Sequence, residues 1–591
     1  MTTETRICQN CKKNFTIELE DFNFYKKISV PPPTWCPQCR MIRRFTHKNE
    51  RNLYRVKDAH TGKEIFSGIP PHAPIKIYEQ EFWWSDGWDP MEYGREYDFK
   101  KPFFVQFREL MREVPFPSRN ITQSVNSDYS DSSGDLKNCY LCFNSGRMEN
   151  SAYVINSTLV KESYDIIDAA SAELSYDCLS IGGAYKLFFS MYCGQSENLW
   201  FCWDCVGCSN CFGCVNLRNK RYYIFNQPHT REEYFEKLKN FRLDSYAALE
   251  VVKEQIEWFW TLFPRKYIRG VKNFNVSGDY VNFSKNVRFS FGIEGGEDLK
   301  YCQEIYRQKG YWEGGKDSYD YYNWGYSSEL MYEVCGSGQG CRNMKFCLDC
   351  WPADQDLEYC MRCVSSNNLF GCIGLQKKSY CIFNKQYSRD DFLELREKII
   401  AHMNEAPYTD AHGRIYKYGE FFPPEFSLFG YNETVAQDYF PLTKDEAEKH
   451  GYVWREIERR EYEITIDAKD LPDSVTATSD SILKEVIGCI SCKRAYRIIQ
   501  GEYTFLRFQT IALPRLCPDC RYLKRFSYRN RPKLYERECD CKGMKSKNGK
   551  YKNAMKHSHN ENQCSNSFVT AYTPEKPEIV YCEQCYQAEV V

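Results

Sequence analysis

Short apolar pulses recur along the middle of the chain at a nearly fixed step. In the first half they begin near Asn138, Ser151, Ser163, Ser175, Leu187, Asn198, Asn210 and Arg221, a spacing of about a dozen positions. In the second half Asn286, Asp298, Asn343, Asp356, Asn368 and Ser379 keep nearly the same step, with irregular rungs between 310 and 330. Pulses of this length punctuated by Asn, Asp, Ser and Gly read as strand-and-turn units. Such units at a fixed period bury their apolar faces by stacking, which predicts a mainly β chain built on a β-solenoid. A step of about 12 residues is either half a coil of a two-sided solenoid or the whole of a tight one.

A longer period lies over the short one. Phe212 to Leu217 and Tyr222 to Asn226 return as Phe370 to Leu375 and Tyr380 to Asn384, an offset of 158. Further upstream, Lys161-Glu-Ser-Tyr-Asp165 answers Lys316-Asp-Ser-Tyr-Asp320. The solenoid is therefore duplicated. Each half runs into a helix start, Thr230 with Glu233 and Ser388 with Asp391, in which a hydroxyl and a carboxylate three residues on can cap each other. The first of these helices reads as one long amphipathic stretch from Thr230 to Phe263, stopped by Pro264.

The pattern divides the chain into a ribbon-like module at 1–60, an aromatic and Pro-rich wrapping segment at 61–120, solenoid halves at 121–229 and 266–387, bracing helices at 230–265 and 388–404, a connector at 405–485, a second ribbon at 486–538 and a C-terminal module at 539–591. Within the connector, Thr443 to His450 reads as a short capped helix ended by Gly451, and Leu471 to Ser481 as a looser stretch.

Cysteine spacing changes the picture at both ends. Cys8-x2-Cys11 with Cys36-x2-Cys39, and Cys489-x2-Cys492 with Cys517-x2-Cys520, are two pairs of knuckles with the same gap inside each pair, and every ligand repeats at an offset of 481. Two such knuckles place four thiolates around a tetrahedral Zn²⁺ with no position left open, so the ion is structural. A redox Cys-x-x-Cys needs a βαβ context that is missing here. A third cluster, Cys539, Cys541, Cys582 and Cys585, completes another zinc site, with His557, His559 and Cys564 read as loop residues or, alternatively, ligands of a second metal. About three structural zinc ions result.

The pattern C-x2-C-x3-F … P-x-W-C-P-x-C-R, carried by Cys8, Cys11, Phe15, Cys36, Cys39 and Arg40, resembles a family of probable zinc-ribbon domains of short bacterial proteins. The whole layout is similar to uncharacterised Cys-rich proteins with several such ribbons from candidate-phyla bacteria. The resemblance covers only the ribbon module at each end, and Tyr496 stands in the second copy where the first has Phe15. It implies zinc binding and no known activity.

The 591 residues carry a net charge of −1 that hides a strong asymmetry. Residues 1–57 are net +7 and 488–556 net +13, while 557–591 is −4 and the middle −17. After each second knuckle comes a basic stripe with aromatics: Arg40, Arg43, Arg44 and Arg51, then Arg521, Lys524, Arg525 and Arg529. Such stripes hold phosphates, which points to RNA or DNA at the basic ends, the ribosome included. The bland alternative is that these arginines are solvated or pair with the acidic middle while the aromatics pack.

The cysteines of the middle repeat at the same short step, as in Cys193 and Cys205 or Cys360 and Cys372, and predict inward ladders. Cys202, Cys205, Cys208, Cys211 and Cys214, spaced by three, match the opening of a ferredoxin motif. The second half lacks the run and no proline follows it, so an iron–sulfur cluster is not expected. Gly310 to Lys316 fits G-x4-G-K, but Glu313 would repel phosphate and Asp317 stands where a hydroxyl is needed. Asp165 with Asp168, or Asp317 with Asp320, could serve acid–base chemistry on sugars. The N-terminus has no apolar signal region and no stretch long enough to span a bilayer, which predicts a cytoplasmic protein without a membrane partner. Three readings remain: a non-enzymatic zinc protein touching nucleic acid, a protein-interaction scaffold on the solenoid, and a carbohydrate-acting enzyme on its face.

Overall fold

The computed structural model describes residues 3–307, 314–456 and 462–590; Gly310 to Glu313 of the G-x4-G-K string lie outside them. Two parallel β-solenoids dominate the chain. The first is a 12-stranded sheet from Ile121–Val125 to Gln227–Pro228, the second an 11-stranded sheet from Phe274–Asn282 to Lys385–Gln386. Each ends in an antiparallel hairpin, Gln227–Pro228 and Lys385–Gln386, which stops further stacking.

Register settles the coil size. Ala152 pairs with Tyr164 and Tyr164 with Tyr176, so each step of the short period is one whole tight coil and not half of a wider one. Every third residue sits at positive φ, as Asn138 (53°), Leu141 (51°), Asn144 (50°) and Arg147 (54°) do. Each coil therefore turns four corners with short sides between them. Asn, Asp and Gly tolerate this left-handed conformation best, which is why they punctuate the pulses. The residue after each corner points inward, and the interior stacks Leu136, Met148, Val160 and Ala172 on one side and Cys178, Ile181, Ala184 and Leu187 around a coil.

Interior serines satisfy the corner amides. Ser145 Oγ donates to Phe143 O (2.8 Å) and accepts from Ser157 N–H (3.1 Å), and Ser163 repeats the pattern in another coil. The expected cysteine ladders follow the same geometry. Cys202 Sγ donates to Trp200 O (3.4 Å) and Cys205 Sγ to Trp203 O (3.6 Å), each thiol buried in the coil interior.

The helix expected as one piece over Thr230 to Phe263 is two. Arg231–Leu238 has the expected Thr230–Glu233 capping box, but Arg242 enters the left-handed region at φ 41° and Ser245 caps a second helix, Tyr246–Trp260. The break lets Asp473 accept from Ser245 Oγ and Ala247 N–H. The stretch Leu471 to Ser481, expected to be loose, is tied down by these bonds and buries Leu471 and Val475. The Phe103–Glu113 helix packs on the second solenoid, its Phe103 ring against Tyr359, Phe370 and Phe383.

Candidate metal centres and the ribbon interfaces

Four cysteines gather at each ribbon, Cys8, Cys11, Cys36 and Cys39 in one and Cys489, Cys492, Cys517 and Cys520 in the other, all Sγ atoms of a set within 4.8 Å of one another. The local chain explains why. In both copies the second knuckle opens a helix, Pro37–Phe45 or Pro518–Phe526, with proline at its first position, so one cysteine stands just before the helix and the next follows one turn on. Cys11 and Cys36 Sγ lie 3.8 Å apart, and Cys492 and Cys517 Sγ 3.6 Å; a thiolate tetrahedron with metal–sulfur bonds of about 2.3 Å has edges of about 3.8 Å. Backbone amides aim at the sulfurs, Cys36 N–H at Cys8 Sγ (3.2 Å) and Cys517 N–H at Cys489 Sγ (3.3 Å), which favours thiolate. Burial alone would raise the Cys489 thiol, but amides including those of Cys492 and Cys517 outweigh it and bring it down to about 7. These clusters could hold metal ions. None of the cysteines forms a disulfide among the described residues.

The C-terminal cluster is drawn together differently from the spacing-based expectation. Cys539, Cys582 and Cys585 meet Cys564 rather than Cys541, and Cys541 instead meets His557, His559 and, again, Cys585. The intervening segment is a closed excursion: Lys542 bridges Gln563, and Cys564 N–H donates to Cys541 O (3.0 Å), returning Cys564 to the start of the loop. Sequence spacing alone does not reveal that return.

The basic stripes lie in protein–protein contacts within the chain. Arg40 donates from Nε to Asp320 Oδ2 (2.9 Å), with its Nη2 2.8 Å from the same oxygen; Arg44 Nη1 lies 3.1 Å from Asp320 Oδ1 and 2.8 Å from Glu333 Oε2, and Arg43 joins Glu333 (2.8 Å) and Glu420 (3.1 Å). All three arginines are at most 1% exposed. The second ribbon repeats the device on the other solenoid. Arg525 pairs with Asp165 (2.7 Å) and Asp177 (2.8 Å), Arg521 with Asp165 (3.1 Å) and Glu502, and Arg529 with Asp168 (3.0 Å) and Glu304 (3.3 Å). Arg51 pairs with Asp438 at 2.8 Å and lies over the Tyr522 ring, joining one ribbon to the other. Of the eight stripe residues expected to face nucleic acid, Lys524 alone is substantially exposed, and it is 3.4 Å from Glu257. The outcome corrects the expectation: the arginines are spent on the acidic middle, because a buried guanidinium needs a carboxylate.

Asp165 and Asp320 hold equivalent places in the two halves, each fully buried at a left-handed corner. They grip Arg525 and Arg40 rather than facing a cleft, so the acid–base role considered for them has no open side for a sugar. Asp168 is raised above its ordinary range by burial, which the Arg529 charge opposes, and Glu502 by burial, which Arg521 opposes. Burial also pushes Glu50 up to about 8, helped by the nearby Glu304 carboxylate. Asp317 is 3.1 Å from Lys27. A further acidic group, Glu18, Glu20 and Asp21, converges on the Lys300 ammonium, which lies 2.6, 2.9 and 2.7 Å from the three and occupies the place of a cation.

The class of protein thus defined is a duplicated β-solenoid scaffold clamped by Cys-rich modules that could hold metal. Comparison of the chain with protein-family models and with curated proteins finds no match to either, so the likeness to zinc ribbons rests on ligand number, spacing and geometry. No helix among the described residues is long and apolar enough to cross a membrane.

Proposed function

We propose that this is a zinc-stabilised, non-enzymatic scaffold that presents a lysine face of its C-terminal module to RNA or DNA. The observation that carries the reading is the placement of Lys542, Lys545 and Lys552. Lys542 pairs with Lys545 across a two-stranded ribbon, and Lys545 bridges Lys552, so the three lysines are neighbours on one small sheet; all are exposed, as are the nearby Lys550 and Lys556. Like charges directly opposite each other destabilise a strand pair, and no ion pair offsets these three among the described residues. A polyanion would offset them. Zinc is the ion favoured by four thiolates in a closed tetrahedral site, and it would contribute folding free energy to modules too small to persist alone.

The test is fluorescence anisotropy of the metal-loaded full chain against single-stranded RNA, structured RNA and duplex DNA over a range of salt. The reading expects binding whose salt slope falls by about three when Lys542, Lys545 and Lys552 are all changed to Glu. Absence of binding at low salt would overturn it. A protein-interaction scaffold would then be preferred, with Val271, Phe274 and Phe283, exposed together at the first rungs of the second solenoid, as its contact.

A further inference from the structure

We propose that the C-terminal module holds two metal ions joined by a bridging thiolate, Cys585. The first ion would take Cys539, Cys564, Cys582 and Cys585, the second Cys541, His557, His559 and Cys585; in each set the ligand atoms lie within 4.8 Å of one another. A single tetrahedral ion accepts four ligands, and seven side chains converge here.

The distances fit two tetrahedra sharing a corner. Cys564 and Cys582 Sγ are 3.9 Å apart, close to the thiolate–thiolate edge of about 3.8 Å. Cys585 Sγ and His559 Nε2 are 3.5 Å apart, and bonds of about 2.3 Å to sulfur and about 2.0–2.1 Å to nitrogen give a mixed edge of about 3.6 Å. Neither distance requires the chain to move to admit an ion.

The surroundings orient each imidazole for this role. Glu589 Oε1 lies 2.9 Å from His557 Nε2, a fully buried carboxylate that holds the proton there and leaves Nδ1 for metal. Asn562 O accepts from His559 Nδ1 (2.7 Å), leaving Nε2, the atom beside Cys585. Carboxylates and carbonyls behind ligating histidines fix tautomer and ring direction in this way. Amide donors reach one sulfur of each set, Asn553 Nδ2 to Cys541 Sγ (3.2 Å) and Asn566 Nδ2 to Cys582 Sγ (3.3 Å). Five thiolates and two dications leave one negative charge in excess.

Elemental analysis of the purified full chain tests this. Two ribbons and a two-ion cluster predict about four equivalents of metal per chain, falling by about one in the double variant His557→Ala, His559→Ala. In cadmium-loaded protein, two C-terminal NMR resonances should share a scalar coupling through Cys585. If the double variant loses more than one ion, His559→Cys, which retains a soft ligand, serves as the rescue: return to about four supports the cluster, and persistent loss overturns it. About three equivalents in the parent, unchanged in the double variant, would overturn it outright.

Discussion

Replacing Asp320 by Ala removes the carboxylate on which the first ribbon is seated. Asp320 is fully buried and receives Arg40 at 2.8 and 2.9 Å and Arg44 at 3.1 Å. After the substitution both guanidiniums must share Glu333, which lies 3.8 Å from Arg40 and 2.8 Å from Arg44 and already serves Arg43. Arg44 has no slack, since its Nε and Nη2 have no hydrogen-bond partner even in the intact protein. Breaking a buried pair by removing one partner costs about 3–5 kcal/mol. If undocking is the opening that exposes the Pro37–Phe45 helix, its amides should exchange with solvent roughly a hundred- to a few thousand-fold faster, at about 1.4 kcal/mol per decade. The assay is hydrogen exchange on the metal-loaded full chain. Asp165→Ala is the internal control: it should release the Pro518–Phe526 helix and leave Pro37–Phe45 protected. Less than tenfold acceleration at Pro37–Phe45, or equal acceleration of both helices in either variant, would refute the seating argument.

Other outcomes follow from the same structure. Burial, with a smaller contribution from Cys363, pushes Asp354 up to about 9, and its Oδ2 has no partner. Because its folded pKa lies above the unfolded value of 3.8, its contribution is fully present below about pH 4 and lost as pH rises through 9. Asp354→Asn should therefore flatten the fall in melting temperature between pH 6 and 9, which thermal scans of parent and variant would show. Chelation of the first ribbon should expose Trp35, which is fully buried with Arg43 stacked 4.4 Å from its ring; the red shift of emission, absent in Trp35→Phe, should be reproduced by Cys8→Ser, and unchanged emission would count against metal-dependent folding of that ribbon.

The solenoid was legible because its period is local. Asn138, Asn150 and their neighbours mark corners at a constant step, and Cys202 to Cys214 mark the inward side of each short face. The knuckles were legible for the same reason, since all four ligands fall within the short spans Cys8 to Cys39 and Cys489 to Cys520. What escaped the sequence is long-range or concerns a loop that closes on itself. Arg44 meets Asp320 across 276 residues and Arg525 meets Asp165 across 360, and no local pattern pairs them. A trace was present in the two offsets: ribbons repeat Arg40 as Arg521 and solenoids repeat Asp165 as Asp320, so an acid–base match shared by the two repeats could have been sought. His557, His559 and Cys564 read as loop residues because Asn and Ser surround them, while backbone closure at Gln563 and Cys564 decides their position. The lysine face was visible only as a net charge, since exposure separates it from the arginines nearby.

The ribbons are seated crosswise, the amino-terminal one on the second solenoid and the later one on the first. During synthesis the first solenoid emerges with its Asp165 and Asp177 facing no arginine, and Arg525 follows Asp177 by 348 residues. At about 5–20 residues per second that interval is roughly 20 to 70 s. Throughout it, the Asp165 carboxylate, destined for the interior, must stay hydrated or protonated, and the face that will receive Arg521 and Arg525 stays uncovered. The first half thus stays unlatched until the last ribbon is made, and that ribbon closes it through Arg521 and Arg525.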